Sequence, residues 1–266
     1  MKKLLMILSL SAVIAACESD DSEILPDPNE VLVELTSAII PDTDLSIVVY
    51  LPEGVSMEVG YNNFSLALMD GDGNYKSEAH MTVTPIMTMM EMSHSAPVEN
   101  HEHDHSTGKY QDFGVVFVMA TQEMGSWSLE VSVMDESFTG TVHIPVEVDS
   151  PELSKMKSID AGEFGSLFIS MVNPTEPKVG INEFEITVHE RESMMSWPAI
   201  TNYTIEIEPE MPAMGHGSPN NVNPVHHAMG HYMGEVNFTM TGAWLINVTI
   251  KDGATIVAET AFEIEF

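Results

Sequence analysis

The sequence is poor in basic residues, cysteine and aromatics, and each shortage closes off a class of function. Nine Lys and Arg face 41 Asp and Glu in 266 residues, a formal charge of −32. A surface of that sign repels phosphate backbones and anionic headgroups, which argues against nucleic-acid binding and electrostatic attachment to membranes. The single cysteine, Cys17, permits neither an internal disulfide nor a thiolate zinc knuckle. The chain has no nucleotide-binding glycine loop, no recognisable Ser-His-Asp arrangement and no His-Glu-x-x-His motif, so an enzyme is not expected. Aromatics make up only 7% of the chain, but apolar residues reach 44% and recur in short alternating patterns, which excludes disorder throughout. What is abundant instead is methionine, 21 residues, and histidine, 11 residues.

The first 16 residues have the parts of a secretory signal: Lys2 and Lys3, an apolar run from Leu4 to Ile14, then Ala15-Ala16 before Cys17. The run is shorter than the roughly 20 residues that span a bilayer. Ile14-Ala15-Ala16-Cys17 resembles a bacterial lipoprotein box, which implies lipidation of Cys17 and a firm two-chain anchor. Residues 17–30 then form a lipidated tether. Its segment Glu18-Ser19-Asp20-Asp21-Ser22-Glu23 is polar and resembles an acidic surface-export tag. The expected location is the cell envelope, on the outer membrane or cell surface.

The rest of the chain repeats itself. Val59-Gly60-Tyr61-Asn62-Asn63-Phe64 aligns with Val179-Gly180-Ile181-Asn182-Glu183-Phe184, and Gly108-Lys109-Tyr110 with Gly230-His231-Tyr232. Trp127-Ser128-Leu129-Glu130-Val131 aligns with Trp244-Leu245-Ile246-Asn247-Val248. Three blocks in one order at nearly one offset indicate two copies of one domain, with a seam near Asp149-Ser150-Pro151. Residues 31–149 and 150–266 are therefore expected to form separate domains.

Each copy has the period of two expected of half-buried strands. Trp127, Leu129, Val131 and Val133 alternate with Ser128, Glu130 and Ser132, and Trp244, Ile246, Val248 and Ile250 with Leu245, Asn247 and Thr249. Phe184, Ile186 and Val188 alternate with Glu185 and Thr187, which places those two on a wet face. Such patterns predict an all-β protein of two tandem immunoglobulin-like sandwiches. Trp127 and Trp244 are expected as core anchors, with Met119 and Met240 packed beside Phe117 and Phe238. His143 and His189 are expected as ordinary strand residues.

Eight of the 11 histidines fall in two loops. The second loop carries Met211-Pro212-Ala213-Met214-Gly215-His216, then His226, His227 and His231. The first carries Met89, Met92 and His94, then His101, His103 and His105. Met-x-x-Met-x-His superimposes 89 on 211, 92 on 214 and 94 on 216. Thioether sulfur is a soft neutral ligand that suits Cu(I), and imidazole suits copper, zinc and nickel. These residues are the expected metal ligands, with Cu(I) favoured and zinc or nickel open to the histidine tract. Pro212 presets a β-turn from Met211 to Met214. The first loop lacks that proline, and its site is expected to be the weaker.

With those motifs in place, residues 179–250 resemble the YtkA-like or FixH-like domain. The resemblance rests on Met211 to His216, Gly230-His231-Tyr232 and Gly242-Ala243-Trp244, and residues 59–134 resemble a degenerate second copy. It implies copper handling outside the cytoplasm, with a copper-donating or copper-accepting envelope protein as partner. The alternative is a surface adhesion or scaffold module that binds no metal.

Overall fold

The structure, a computed structural model, describes residues 31–100, 108–123, 125–135 and 138–266. In the first half, β1 (Leu32–Ile39), β2 (Ser46–Pro52) and β3 (Gly60–Met69) come first. A hairpin of β4 (His80–Met89) and β5 (Met92–Ser95) follows. Then come β6 (Val98–Asn100), β7 (Gln111–Phe117), β8 (Gly125–Asp135) and β9 (Phe138–Val146). The second half opens with β10 (Met156–Asp160), β11 (Ser166–Asn173) and β12 (Gly180–Glu190). Its hairpin is β13 (Thr204–Met211) and β14 (His216–Gly217), followed by β15 (Val222–His226) and β16 (His231–Phe238). β17 (Ala243–Asp252) and β18 (Thr255–Glu265) end the chain.

The sheet order is the same in both halves. β1-β2-β3-β7-β6 faces β5-β4-β8-β9, and β10-β11-β12-β16-β15 faces β14-β13-β17-β18. Every ladder between named strands is antiparallel, so both halves are immunoglobulin-like sandwiches. Each has its own core. Val49, Leu66, Phe113, Val83, Trp127 and Leu129 belong to one; Ile169, Phe184, Ile186, Ile207, Trp244 and Ile246 belong to the other. Each such side chain contributes about 1.5–3 kcal/mol by leaving water.

Small polar devices recur with the strands. Asn62 donates to the carbonyls of Glu58 and Gly60 and accepts from the Glu58 amide. Asn182 makes the same three bonds with Lys178 and Gly180. Asn100 accepts from the Val83 amide as Asn223 accepts from that of Ile207. The indole of Trp127 donates to the Met119 carbonyl, and that of Trp244 to the Met240 carbonyl.

Two expectations about burial are corrected. Glu185 and Thr187 are not on a wet face but fully buried. β12 lies under the first sandwich there, so both of its faces are covered. Met240 is 40% exposed rather than core, because it follows the end of β16, in the turn before β17; Met119 does pack, half-buried, on the first core. His143 is an exposed strand residue 3.5 Å from Glu130, whereas His189 is buried.

Candidate functional site

In the second sandwich the segment Met211–His216 closes the β13–β14 hairpin. The amides of Met214 and Gly215 both donate to the Met211 carbonyl at 3.0 Å, so Pro212 occupies the second turn position that its fixed φ suits. Met211 pairs with His216, and directly opposed residues of an antiparallel pair present their side chains on one face. The neighbouring pair Glu210–Leu245 sets Met211 beside Trp244 of β17. The His216 and Trp244 rings meet edge to face, with centroids 6.0 Å apart.

The three expected ligands of this turn do not share one environment. Met211 is 4% exposed and belongs to the core, while Met214 at the tip is 63% exposed. The inward alternation of Ile205, Ile207 and Pro209 simply continues to Met211, which makes it a strand residue rather than a loop residue. Its methyl lies 3.4 Å from where a Cβ on Gly242 would stand. Met211 and His216 thus form a pair on the inner face, with Met214 outside it.

The first sandwich repeats this pair, but not with the residues that superimpose in sequence. Met89 pairs with Met92 across a two-residue turn, and Met87 pairs with His94. Met87 is also the partner of Trp127, so Met87, not Met89, holds the place of Met211. The His94 and Trp127 rings meet edge to face at 5.5 Å. His94 is 6% exposed. Its Nδ1 donates to the Ser95 carbonyl at 2.8 Å, a bond that leaves the lone pair on Nε2.

The remaining histidines lie elsewhere. His226 packs edge-on against Tyr232 with a buried Nε2 that has no partner, and His227 begins the turn into β16, its amide donating to the His231 carbonyl. Tyr232 contacts Ile200 and Tyr203 at one end of the sandwich; Phe238, at the other end of β16, touches Trp244. Six residues of strand separate these ends, about 20 Å. His226, His227 and His231 therefore do not join Met211 and His216, which corrects the expectation of a single second-loop site. His101, His103, His105 and Cys17 lie outside the described residues. Among the described residues no three His, Cys, Asp or Glu side chains converge as a metal site.

Residues 166–249 match the YtkA-like family. That stretch runs from β11 into β17 and holds the Met211–His216 hairpin, His231 and Trp244. The match makes this part of the chain a YtkA-like domain. No curated protein matches the chain. Among solved structures, domains 5–6 of the S-layer protein SbsC are 14% identical with a TM-score of 0.28, over 89% of this chain and 99% of theirs. The D00-D0 domain of intimin is 10% identical with a TM-score of 0.22, over 83% and 100%. A titin immunoglobulin tandem is 8% identical with a TM-score of 0.20, over 79% and 90%. Scores this low carry nothing about function, and the fold rests on the strand order above.

The YtkA-like domain meets the first sandwich through a buried polar cluster that the spacing of residues gave no sign of. His231 places Nδ1 2.6 Å from Glu185 Oε1 and Nε2 2.7 Å from Glu99 Oε1 of β6. Tyr61 donates its hydroxyl to Glu99 Oε2 at 2.8 Å and meets the His231 ring edge to face. Burial opposes charge on His231, but the two carboxylates outweigh it and hold its pKa up to about 9. Burial likewise works against ionised Glu99, yet His231 and Tyr61 keep it below the ordinary carboxylate range. Both ring nitrogens of His231 are thus engaged by carboxylates at this junction rather than placed beside Met211 and His216. Around this cluster, Ser170 Oγ accepts from the Tyr61 amide, Lys155 pairs with Glu58 at 3.2 Å, and Trp197 donates to Ser95.

Proposed function

We propose that this protein binds copper outside the cytoplasm, held to the cell envelope by lipid on Cys17, and sequesters the metal or passes it to an envelope partner. The observation that carries this reading is the Met–His–Trp arrangement found twice: Met211, His216 and Trp244, then Met87, His94 and Trp127. A neutral thioether beside a neutral imidazole favours Cu(I) over hard cations. A flanking indole adds a face that attracts cations. The 41 acidic side chains draw cations toward the surface from a distance. The first sandwich is then a second, degenerate copy of the family, and the resemblance to FixH-like proteins points the same way.

In the second sandwich Met211 and His216 are the inner pair, and Met214 on the exposed turn supplies a further sulfur. Copper enters as cargo, so the protein's work is selection and release rather than catalysis. His226, His227 and the tract His101, His103 and His105 offer nitrogen ligands apart from that pair, suited to zinc or nickel as well as copper.

The deciding experiment is a Cu(I) titration of the mature protein against a competing chelator, beside the variant Met211→Leu/Met214→Leu/His216→Asn. Uptake reduced in the variant, with sulfur neighbours of copper visible by X-ray absorption in the parent, supports the proposal. Equal uptake overturns it for this hairpin. Burial of Met211 in the core favours one other reading, a surface adhesion or scaffold module in which Met211 only packs. That reading expects the substitutions to leave copper tolerance of the cell unchanged.

A further inference from the structure

Exposure divides the methionines of the described residues into two classes. Met57, Met81, Met87, Met171 and Met211 are sealed in the two cores, while eight others are at least 40% exposed. Met92 and Met214 of the eight are also candidate metal ligands; Met90, Met134, Met194, Met195, Met229 and Met240 are not.

These six stand at turns and strand ends. Met90 is one of two tip residues in the β4–β5 hairpin, and Met194 and Met195 are the two residues between the bridged Ser193 and Ser196. Met240 lies in the turn before β17, and Met134 is next to the last residue of β8. Met229 is the most telling. The His231 amide donates to the Ala228 carbonyl at 2.7 Å, and both residues inside that turn, Met229 and Gly230, have positive φ, 47° and 83°. Asn and Gly ordinarily fill such positions. A larger side chain there costs backbone energy, and Met229, 44% exposed, gains little burial to offset it.

Single exposed apolar residues are ordinary on a protein surface, so leucine supplies the comparison. Leu and Met exchange with little effect on packing. Yet Leu51, Leu66, Leu68, Leu129 and Leu167 are buried, and Leu35 alone of the described leucines is exposed. Packing therefore does not select methionine for these turns. What sets it apart is a sulfur lone pair open to oxidation.

We propose that Met90, Met134, Met194, Met195, Met229 and Met240 form an oxidant-consuming surface that removes hypochlorous acid before it reaches the cores. Overall, the sulfur lone pair forms a bond to the oxygen, the O–Cl bond breaks, chloride leaves with that electron pair and the hydroxyl proton passes to water. Sulfur loses two electrons to become a sulfoxide, and chlorine gains them. Hypochlorous acid is neutral, so the 41 acidic side chains do not repel it. On an exposed turn the sulfoxide oxygen meets water, whereas at Met81 or Met171 it would set a polar group in the core. Sulfoxide reductases regenerate the thioether, which makes such a surface renewable. This role needs no copper and stands apart from the reading above.

The test treats the copper-free mature chain with rising hypochlorous acid, maps sulfoxides by peptide mass spectrometry and follows the fold by circular dichroism. The six should carry oxygen while the buried five are unmodified and the fold is intact. A variant combining Met90→Leu, Met134→Leu, Met194→Leu, Met195→Leu, Met229→Leu and Met240→Leu keeps Met92 and Met214. It should lose its fold at a dose lower by about six oxidant equivalents per chain, one for each sulfur removed. Met194→Leu/Met195→Leu, confined to one exposed turn, should lower the dose by about two on the same count, and it carries the test if the sixfold variant does not fold. Oxidation of the buried five together with the six, or equal tolerance in parent and variants, overturns the inference. Copper is absent throughout, so either result leaves the proposed function standing.

Discussion

His231 and Glu99 are 132 positions apart in sequence and meet at 2.7 Å, Nε2 to Oε1, where the two sandwiches touch. Glu185 takes the other ring nitrogen at 2.6 Å, so one imidazolium stands between two buried carboxylates. Removing the cation would leave two buried carboxylates with only neutral donors, Tyr61 on Glu99 and Asn173 on Glu185, a loss of roughly 3–5 kcal/mol. We expect His231→Gln to lower the urea midpoint accordingly, while Glu99→Gln, which leaves the Glu185 contact in place, costs less. Equal midpoints for parent and His231→Gln would show the bridge to be energetically idle.

The same bridge sets a dependence on pH. His231 is raised to about 9 from an ordinary value near 6.5. Its stabilisation is complete below that ordinary value and is lost as pH rises through about 9. Glu99 is lowered, so its share is present above the ordinary carboxylate value and is lost as pH falls through the depressed one. Stability of the parent should therefore decline between pH 7 and 10, and that of His231→Gln should be flat over the same interval. A parent curve as flat as the variant's would contradict this.

Thr187 and His189 sit beside Glu185 on the same face of β12, and the Thr187 hydroxyl and His189 Nδ1 have no hydrogen-bond partner. Leaving a buried hydroxyl unsatisfied costs about 1–3 kcal/mol. Thr187→Val keeps the β-branched shape and removes the hydroxyl, so it should be neutral or stabilising by about 1 kcal/mol. Burial pushes His189 down to about 4, against the pull of Glu99. The unfolded chain takes up that proton near pH 6.5 and the folded one only near 4, so stability falls as pH drops between those values. His189→Leu should flatten thermal unfolding midpoints across pH 6.5 to 4, and an unchanged slope would place the acid sensitivity elsewhere.

Why the strands were readable and the junction was not follows from these residues. Trp127-Leu129-Val131 and Trp244-Ile246-Val248 alternate because each has one core face, and a period of two reports that directly. β12 has two covered faces, and its outer one is lined by Glu185, Thr187 and His189, residue types that period and polarity assign to solvent. Their burial depends on Glu99 and Tyr61, which lie between 86 and 128 positions earlier in the chain. The Met-x-x-Met-x-His pattern misled by register. Met89 and Met211 match in sequence, but the first hairpin turns in two residues and the second in four, which shifts Met87 into the place of Met211.

Pro212 offers a separate check on the second hairpin. Its ring restricts the unfolded chain and fits the turn in which the Met214 and Gly215 amides meet the Met211 carbonyl. Pro212→Gly should cost about 0.4–1 kcal/mol through the unfolded state. If Met214 acts from this turn, Cu(I) retention at the second hairpin should also weaken, with the first unaffected. Lost stability with unchanged retention would remove Met214 from the site.

Gly125→Ala separates packing from metal binding in the first hairpin. Gly125 lacks a left-handed φ, so alanine fits the backbone without strain, and only side-chain space is contested. The added methyl would stand 3.1 Å from the Met87 sulfur and from Met89 Cγ, tighter than ordinary contact, and both flexible thioether chains can shift to admit it. The fold should survive with a loss of about 1–3 kcal/mol from overpacking. Met87 would be displaced from its place opposite His94 and Trp127, so on the proposed copper reading the first sandwich should release Cu(I) at a lower chelator concentration while the second keeps its affinity. Glycine at this position is then explained by the space a thioether needs, whereas Gly242 is called for by its backbone, which has a φ of 125°. An alanine variant with parental retention would mean that Met87 and Met89 fill the core and nothing more.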